Sequence, residues 1–91
     1  MRPPPRLRLL VDWVHIREAE RRGRRVTPFG LALAEQSRFS AGQITPEAVV
    51  LIEPLTGGAM RYAPCPGLLE YLRRFRQGQT LEPAEFVLEP L

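Results

Sequence analysis

The chain has 91 residues, a formal net charge of +3, thirteen arginines and no lysine. That length makes one domain with a modest core and little room for a deep substrate cavity. One cysteine excludes an intramolecular disulfide, which together with the charge balance leads us to expect a cytoplasmic protein.

The arginines crowd the front. Residues 1–25 carry a net charge of +5 and residues 26–91 a net charge of −2. Such segregation suggests a surface for an anionic partner. Arginine in place of lysine says less, because Arg, Pro, Gly, Ala and Leu rise together under codon bias. Ten prolines and the absence of asparagine fit selection for heat tolerance equally well. The leading Met-Arg-Pro-Pro-Pro-Arg is positive like a signal peptide, but its apolar stretch runs only from Leu9 to Val11 before Asp12.

Residues 1–6 read as an extended Pro/Arg arm, with Pro3-Pro4-Pro5 in polyproline conformation, and residues 7–91 as a single small α+β domain. The first element is ambiguous. Leu7, Leu9, Val11 and Trp13 alternate like a strand, whereas Leu9, Trp13 and Ile16 recur at helical spacing. The Arg-Glu-Ala-Glu-Arg-Arg run that follows is rich in helix formers, so the expected element is one helix from Leu7 to about Arg22, ended by Gly23. Thr27-Pro28 opens a second helix reaching about Gln36, and Ser37–Gln43 reads as a loop. Val49–Ile52 and Ala59–Tyr62 flank a Thr-Gly-Gly turn and predict a β-hairpin. Leu68, Tyr71, Leu72 and Phe75 form one apolar stripe on a third helix ending at Gly78. Phe86–Leu88 should add a short C-terminal strand, giving a small three-stranded antiparallel sheet with the hairpin.

Residues 33–49 resemble a helix-turn-helix over about a fifth of the chain, through Ala34, Ser40 and Ile44. Arg38 stands where that motif has glycine, and Pro46 falls inside its second helix, so no membership is drawn from it.

On a single first helix, Leu10, Trp13 and Val14 share a face with Arg17, Arg21 and Arg24. A helix that enters the core with its first half and leaves it near Arg17 would project those arginines past the core edge. Self-pairing through Glu18–Arg22 and Glu20–Arg24 competes with this, while Arg17–Arg21 and Arg21–Arg25 are repelling i, i+4 pairs. The expected function is non-enzymatic: Arg17, Arg21, Arg22, Arg24 and Arg25 contact nucleic acid with weak sequence specificity. The alternative is an accessory or adaptor protein whose basic helix docks on an acidic protein, or which self-associates through its own Glu82, Glu85 and Glu89.

Catalytic candidates are sparse. Cys65 precedes the third helix, where the helix dipole favours a thiolate, but nothing brings His15 to it. Asp12 and His15 are i, i+3 neighbours with no marked nucleophile, so they read as a local hydrogen bond. One His, one Cys and one Asp do not make an ordinary zinc site, and no cofactor or membrane partner is expected. Trp13, Tyr71 and Phe75 read as core, and Tyr62 beside Arg61 as the one aromatic–arginine pairing suited to base stacking.

Overall fold

A computed structural model describes residues 4–91. The first part of the polyproline arm, with Arg2, therefore lies outside the described residues. Its end is anchored: the Pro5 carbonyl accepts a hydrogen bond from the Tyr62 hydroxyl at 2.8 Å.

Leu7–Val11 forms strand β1 and Trp13–Arg21 forms helix α1, so the single helix expected from Leu7 is corrected to a strand followed by a helix. The turning point is Asp12. Its carboxylate accepts from Trp13 N at 2.7 Å, and its own backbone N–H donates to His15 Nδ1 at 2.9 Å. With the Asp12 side chain also facing the His15 backbone N–H, this is a capping box with histidine in the place usually held by Glu or Gln. Val11 and Ile16, both buried, occupy the positions of a hydrophobic staple across that cap. Leu9 and Val11 point inward because β1 pairs antiparallel with the C-terminal strand β5, Ala84–Leu88, in unbroken register from Leu7↔Leu88 to Val11↔Ala84. No local pattern could announce a partner that far along the chain.

Helix α1 ends in a Schellman arrangement. Arg24 N donates to Ala19 O and Gly23 N to Glu20 O, each at 3.0 Å, with Gly23 and Arg24 both in the left-handed region. Helix α2, Pro28–Gln36, follows its predicted bounds, with the Thr27 hydroxyl accepting from Gly30 N at 2.9 Å and Phe29, Ala32 and Leu33 buried.

The segment read as a loop is corrected too: Ser40–Ile44 is strand β2. Its residues are almost all exposed and its pairing is interrupted between Ala41 and Ile44, so it carries no apolar alternation to read. A Cβ on Gly42 would stand 2.9 Å from the Val50 carbonyl, which explains a glycine at this bulge. Because 40–44 is a strand, the second helix of a helix-turn-helix does not exist here. Thr45 closes the turn into strand β3, Val49–Ile52, its hydroxyl accepting from Ala48 N at 3.2 Å. Strand β4, Ala59–Tyr62, returns as predicted, and helix α3, Leu68–Arg76, buries the predicted stripe Leu68, Tyr71, Leu72 and Phe75.

Among the described residues the class is α+β with three helices and antiparallel sheets, but the expected three-stranded sheet is two sheets. One has the order β2-β3-β4 and the other is the pair β1-β5. The terminal strand left the hairpin for β1 because Phe86 and Leu88 match the inward side chains of β1. The sheets still touch, through a bridge between Tyr62 and Pro90 and a hydrogen bond from Ala63 N to Glu89 O at 2.8 Å. At the far side of β1, the Gln36 side-chain amide accepts from Leu10 N at 2.8 Å and donates to Leu10 O at 2.6 Å. That fork replaces a neighbouring strand and blocks the edge. Phe86 sits at the centre of the core, edge-on to Phe29 and Tyr71 with ring centroids at 5.9 and 5.2 Å.

Candidate anionic-partner surface

Starting the helix at Trp13 rotates its buried side. The inward residues are His15, Ile16 and Ala19, while Trp13 is 44% and Val14 70% exposed. Trp13 is therefore not the core residue the apolar spacing suggested. Leu10, on the outward side of β1, is also exposed, at 52%. Since residues 13, 14, 17 and 21 lie within one 100° sector of a helix, Trp13, Val14, Arg17 and Arg21 share the outward face.

The five arginines of the candidate surface fall into different situations. Arg17 and Arg25 are exposed, and neither forms an ion pair among the described residues. Arg21 and Arg22 are exposed and share Glu18; the Arg22 Nε–Oε1 distance is 3.0 Å. Those two guanidiniums hold the Glu18 carboxyl at about 2, well below its ordinary range, by hydrogen bonding to the charged form. Arg24 turns back to the body. It donates to Phe75 O at 2.7 Å, lies 4.6 Å over the Phe75 ring and reaches Glu20 at 3.3 Å. It thus ties the end of α1 to the end of α3, where its charge meets the negative end of the α3 helix dipole.

That tie has an electrostatic result. The loop after α1 runs beside the last turn of α3, and Thr27 and Arg76 line the same small cleft. Arg76 is exposed and forms no ion pair among the described residues. A cation from the acidic half of the sequence is therefore delivered to the arginine-rich end of the molecule.

Between the end of β1 and the start of β5, a cleft of about 310 Å³ is lined by Leu10, Val11, Asp12, Pro83, Ala84 and Glu85. It combines apolar walls with two carboxylates. Glu85 and Glu89 are held by arginines of their own chain, Arg8 at 2.8 Å and Arg6 at 2.6 Å. Arg8 keeps the Glu85 carboxyl below its ordinary value through that hydrogen bond.

The remaining candidates have structural occupations. His15 is 7% exposed; its Nδ1 accepts from Asp12 N and its Nε2 lies 3.1 Å from Glu35 Oε1. That geometry assigns the proton to Nε2, so both nitrogens are engaged. Cys65 is partly buried and its thiol points at Val87 O at 3.6 Å; burial raises its pKa, opposing a reactive thiolate. It borders a mainly apolar cleft of about 350 Å³ between the β2–β3 turn and the start of α3. Tyr62 is fully buried, so its pairing with Arg61 offers no stacking surface. Among the described residues, no group of three or more His, Cys, Asp or Glu is placed to hold a metal, and no helix is long and apolar enough to cross a membrane.

The sequence did contain a signal for the start of α1. Asp12 before a helix-forming run, with a side-chain acceptor three residues later, is an N-cap pattern that starts the helix at Trp13. No protein-family model matches the chain, and no curated protein or solved structure matches it.

Proposed function

We propose that this protein is a small non-enzymatic nucleic-acid-binding protein whose contact surface is the outward face of α1 and the loop after it. The observation that carries the reading is the placement of Arg17 and Arg21 on an exposed helix face, with Arg25 beyond it and Arg17 and Arg25 without an ion pair among the described residues. In this reading Arg17, Arg21, Arg22 and Arg25 neutralise phosphates, and Arg24 holds the loop in place from its seat on Phe75. Like-charged arginines at i, i+4 repel in isolation, and a row of phosphates removes that repulsion. A helix face of this kind touches the backbone and carries little base readout, so weak sequence specificity follows.

The second reading, docking on an acidic protein or on a second copy, draws less support. Glu85 and Glu89, the tail residues that would complement the basic segment of another copy, already pair with Arg8 and Arg6 of their own chain.

The test is the salt dependence of binding to labelled oligonucleotides. About four phosphate contacts give a log–log slope near −3 with single strands, and Arg17→Ala lowers its magnitude by roughly one contact. Absence of binding to DNA and RNA at low salt would end this reading.

A further inference from the structure

We infer that the preferred ligand of the α1 surface is single-stranded nucleic acid, with an unpaired base stacked on Trp13. The inference rests on the nucleic-acid reading above and adds the state of the strand. Arginines alone would serve a duplex equally well. The difference lies in what precedes them.

Trp13 stands at the first position of α1, 44% exposed, with exposed Val14 next to it and exposed Leu10 three residues before it on β1. A soluble domain scatters single apolar residues over its surface, but an exposed indole followed by exposed Val14, on the helix face that carries Arg17 and Arg21, suits contact with a ligand. A duplex hides the faces of its bases and offers such a group nothing. A single strand offers a π-face on every base, and indole stacking is tolerant of sequence. The arginines follow in order. Arg17 and Arg21 come one and two turns after Trp13 on the same face, in steps of about 6 Å along the axis, so a strand with one base on Trp13 lays its backbone along them.

Leu10, Pro83 and Ala84 give the cleft between β1 and β5 apolar walls, while Glu85 is held by Arg8 and Asp12 caps α1. A lipid headgroup or an acidic polypeptide satisfies the arginines but offers no π-face to Trp13.

The chain contains one tryptophan, so its emission reports on this position alone. The experiment titrates the full chain with an oligonucleotide of about ten nucleotides, with the same strand annealed to its complement, with phosphatidylglycerol vesicles and with polyglutamate. We expect the single strand to quench Trp13 and to bind at least about tenfold more tightly than the duplex. By anisotropy of the labelled strand, Trp13→Ala should lose about tenfold for the single strand and little for the duplex, and Trp13→Phe should retain most of it. Equal binding of the duplex with Trp13 unquenched overturns the inference and leaves the nucleic-acid reading standing. Failure of both strands to bind ends both. An emission shift with vesicles or polyglutamate and none with the oligonucleotide also overturns both, in favour of a membrane or an acidic protein. If Trp13→Ala loses its helical circular dichroism, the wild-type quenching and Trp13→Phe still decide the question.

Discussion

Helices α1 and α3 are each nine residues long, each ends in a Schellman turn, and each carries arginine toward its C-terminus. They differ in what they do with their outward faces. Helix α3 buries Leu68, Tyr71, Leu72 and Phe75 and settles two of its arginines locally, Arg73 on Glu70 at 2.7 Å and Arg74 on Gln79 at 3.1 Å. Helix α1 buries only His15, Ile16 and Ala19, and leaves Trp13 partly and Val14 and Arg17 largely outside, with no ion pair for Arg17 among the described residues. Equal length and equal ends therefore hide unequal roles. One helix is fastened into the core by its apolar stripe, and the other is fastened at its ends so that its face remains free.

The strongest way to break this contrast is to truncate one large side chain on each helix. Phe75→Ala should lower stability by about 3–5 kcal/mol in urea unfolding, because a filled core position becomes a cavity and Arg24 loses the ring beneath it while keeping the backbone carbonyl. Trp13→Ala should cost less than about 1 kcal/mol in the same measurement. Similar losses for the two would mean that Trp13 packs inward after all.

The end-fastening of α1 is tested next. His15→Ala removes the acceptor of the Asp12 N–H and opens a buried site, and should cost about 2 kcal/mol. His15→Gln, which restores an acceptor at that position of the capping box, should recover part of this loss. If the alanine variant melts with the wild type, the cap does not hold the helix.

A smaller effect should separate two arginines that look alike in the chain. Arg24→Ala should cost about 1–2 kcal/mol by loss of the Phe75 carbonyl and ring contacts. Arg17→Ala should leave unfolding unchanged within about 0.5 kcal/mol and appear only in binding. A binding defect in Arg24→Ala that exceeds its share of unfolding would return that residue to the contact surface.

The mildest expected effect is in acid. The Glu18 carboxyl lies at about 2 in the folded chain against an ordinary 4.5. Its contribution is therefore complete above about pH 4.5 and is lost as the pH falls toward 2. Glu70, lowered by Arg73, acts in the same sense on α3. Helical circular dichroism should hold from neutral pH down to about 5 and decline below it. Glu18→Gln should flatten part of that decline, and an unchanged profile would mean that the Arg21–Glu18–Arg22 cluster adds nothing to the helix.

How much could be read in advance varied with the range of the interaction responsible. The stripe of α3, the Thr27-Pro28 start of α2 and the β3–β4 turn are local signals, each spelled within a few residues, and each was read correctly. The front of the chain misled because Leu7–Trp13 fits two periodicities, and the choice between them belongs to β5 at the other end. Strand β2 was invisible because Ser-Ala-Gly-Gln-Ile has no apolar alternation; β3 recruits it through backbone bonds. For the candidate surface, the arginines of 17–25 were visible as a charge run, yet Arg24's seat on Phe75 and Trp13's exposure were not.

The sequence by itself determined the α+β class, three apolar faces to be buried and an excess of positive charge in residues 1–25. Only the tertiary structure decided which of those charges face outward. Charge count is a property of composition. The direction of a side chain depends on where its helix starts and which side the core claims. Here Asp12 sets the start, and Val11, Ile16 and Ala19 set the side. Rotation about that axis puts Trp13 and Arg17 together at the surface, and the contact with Phe75 draws Arg24 away from it.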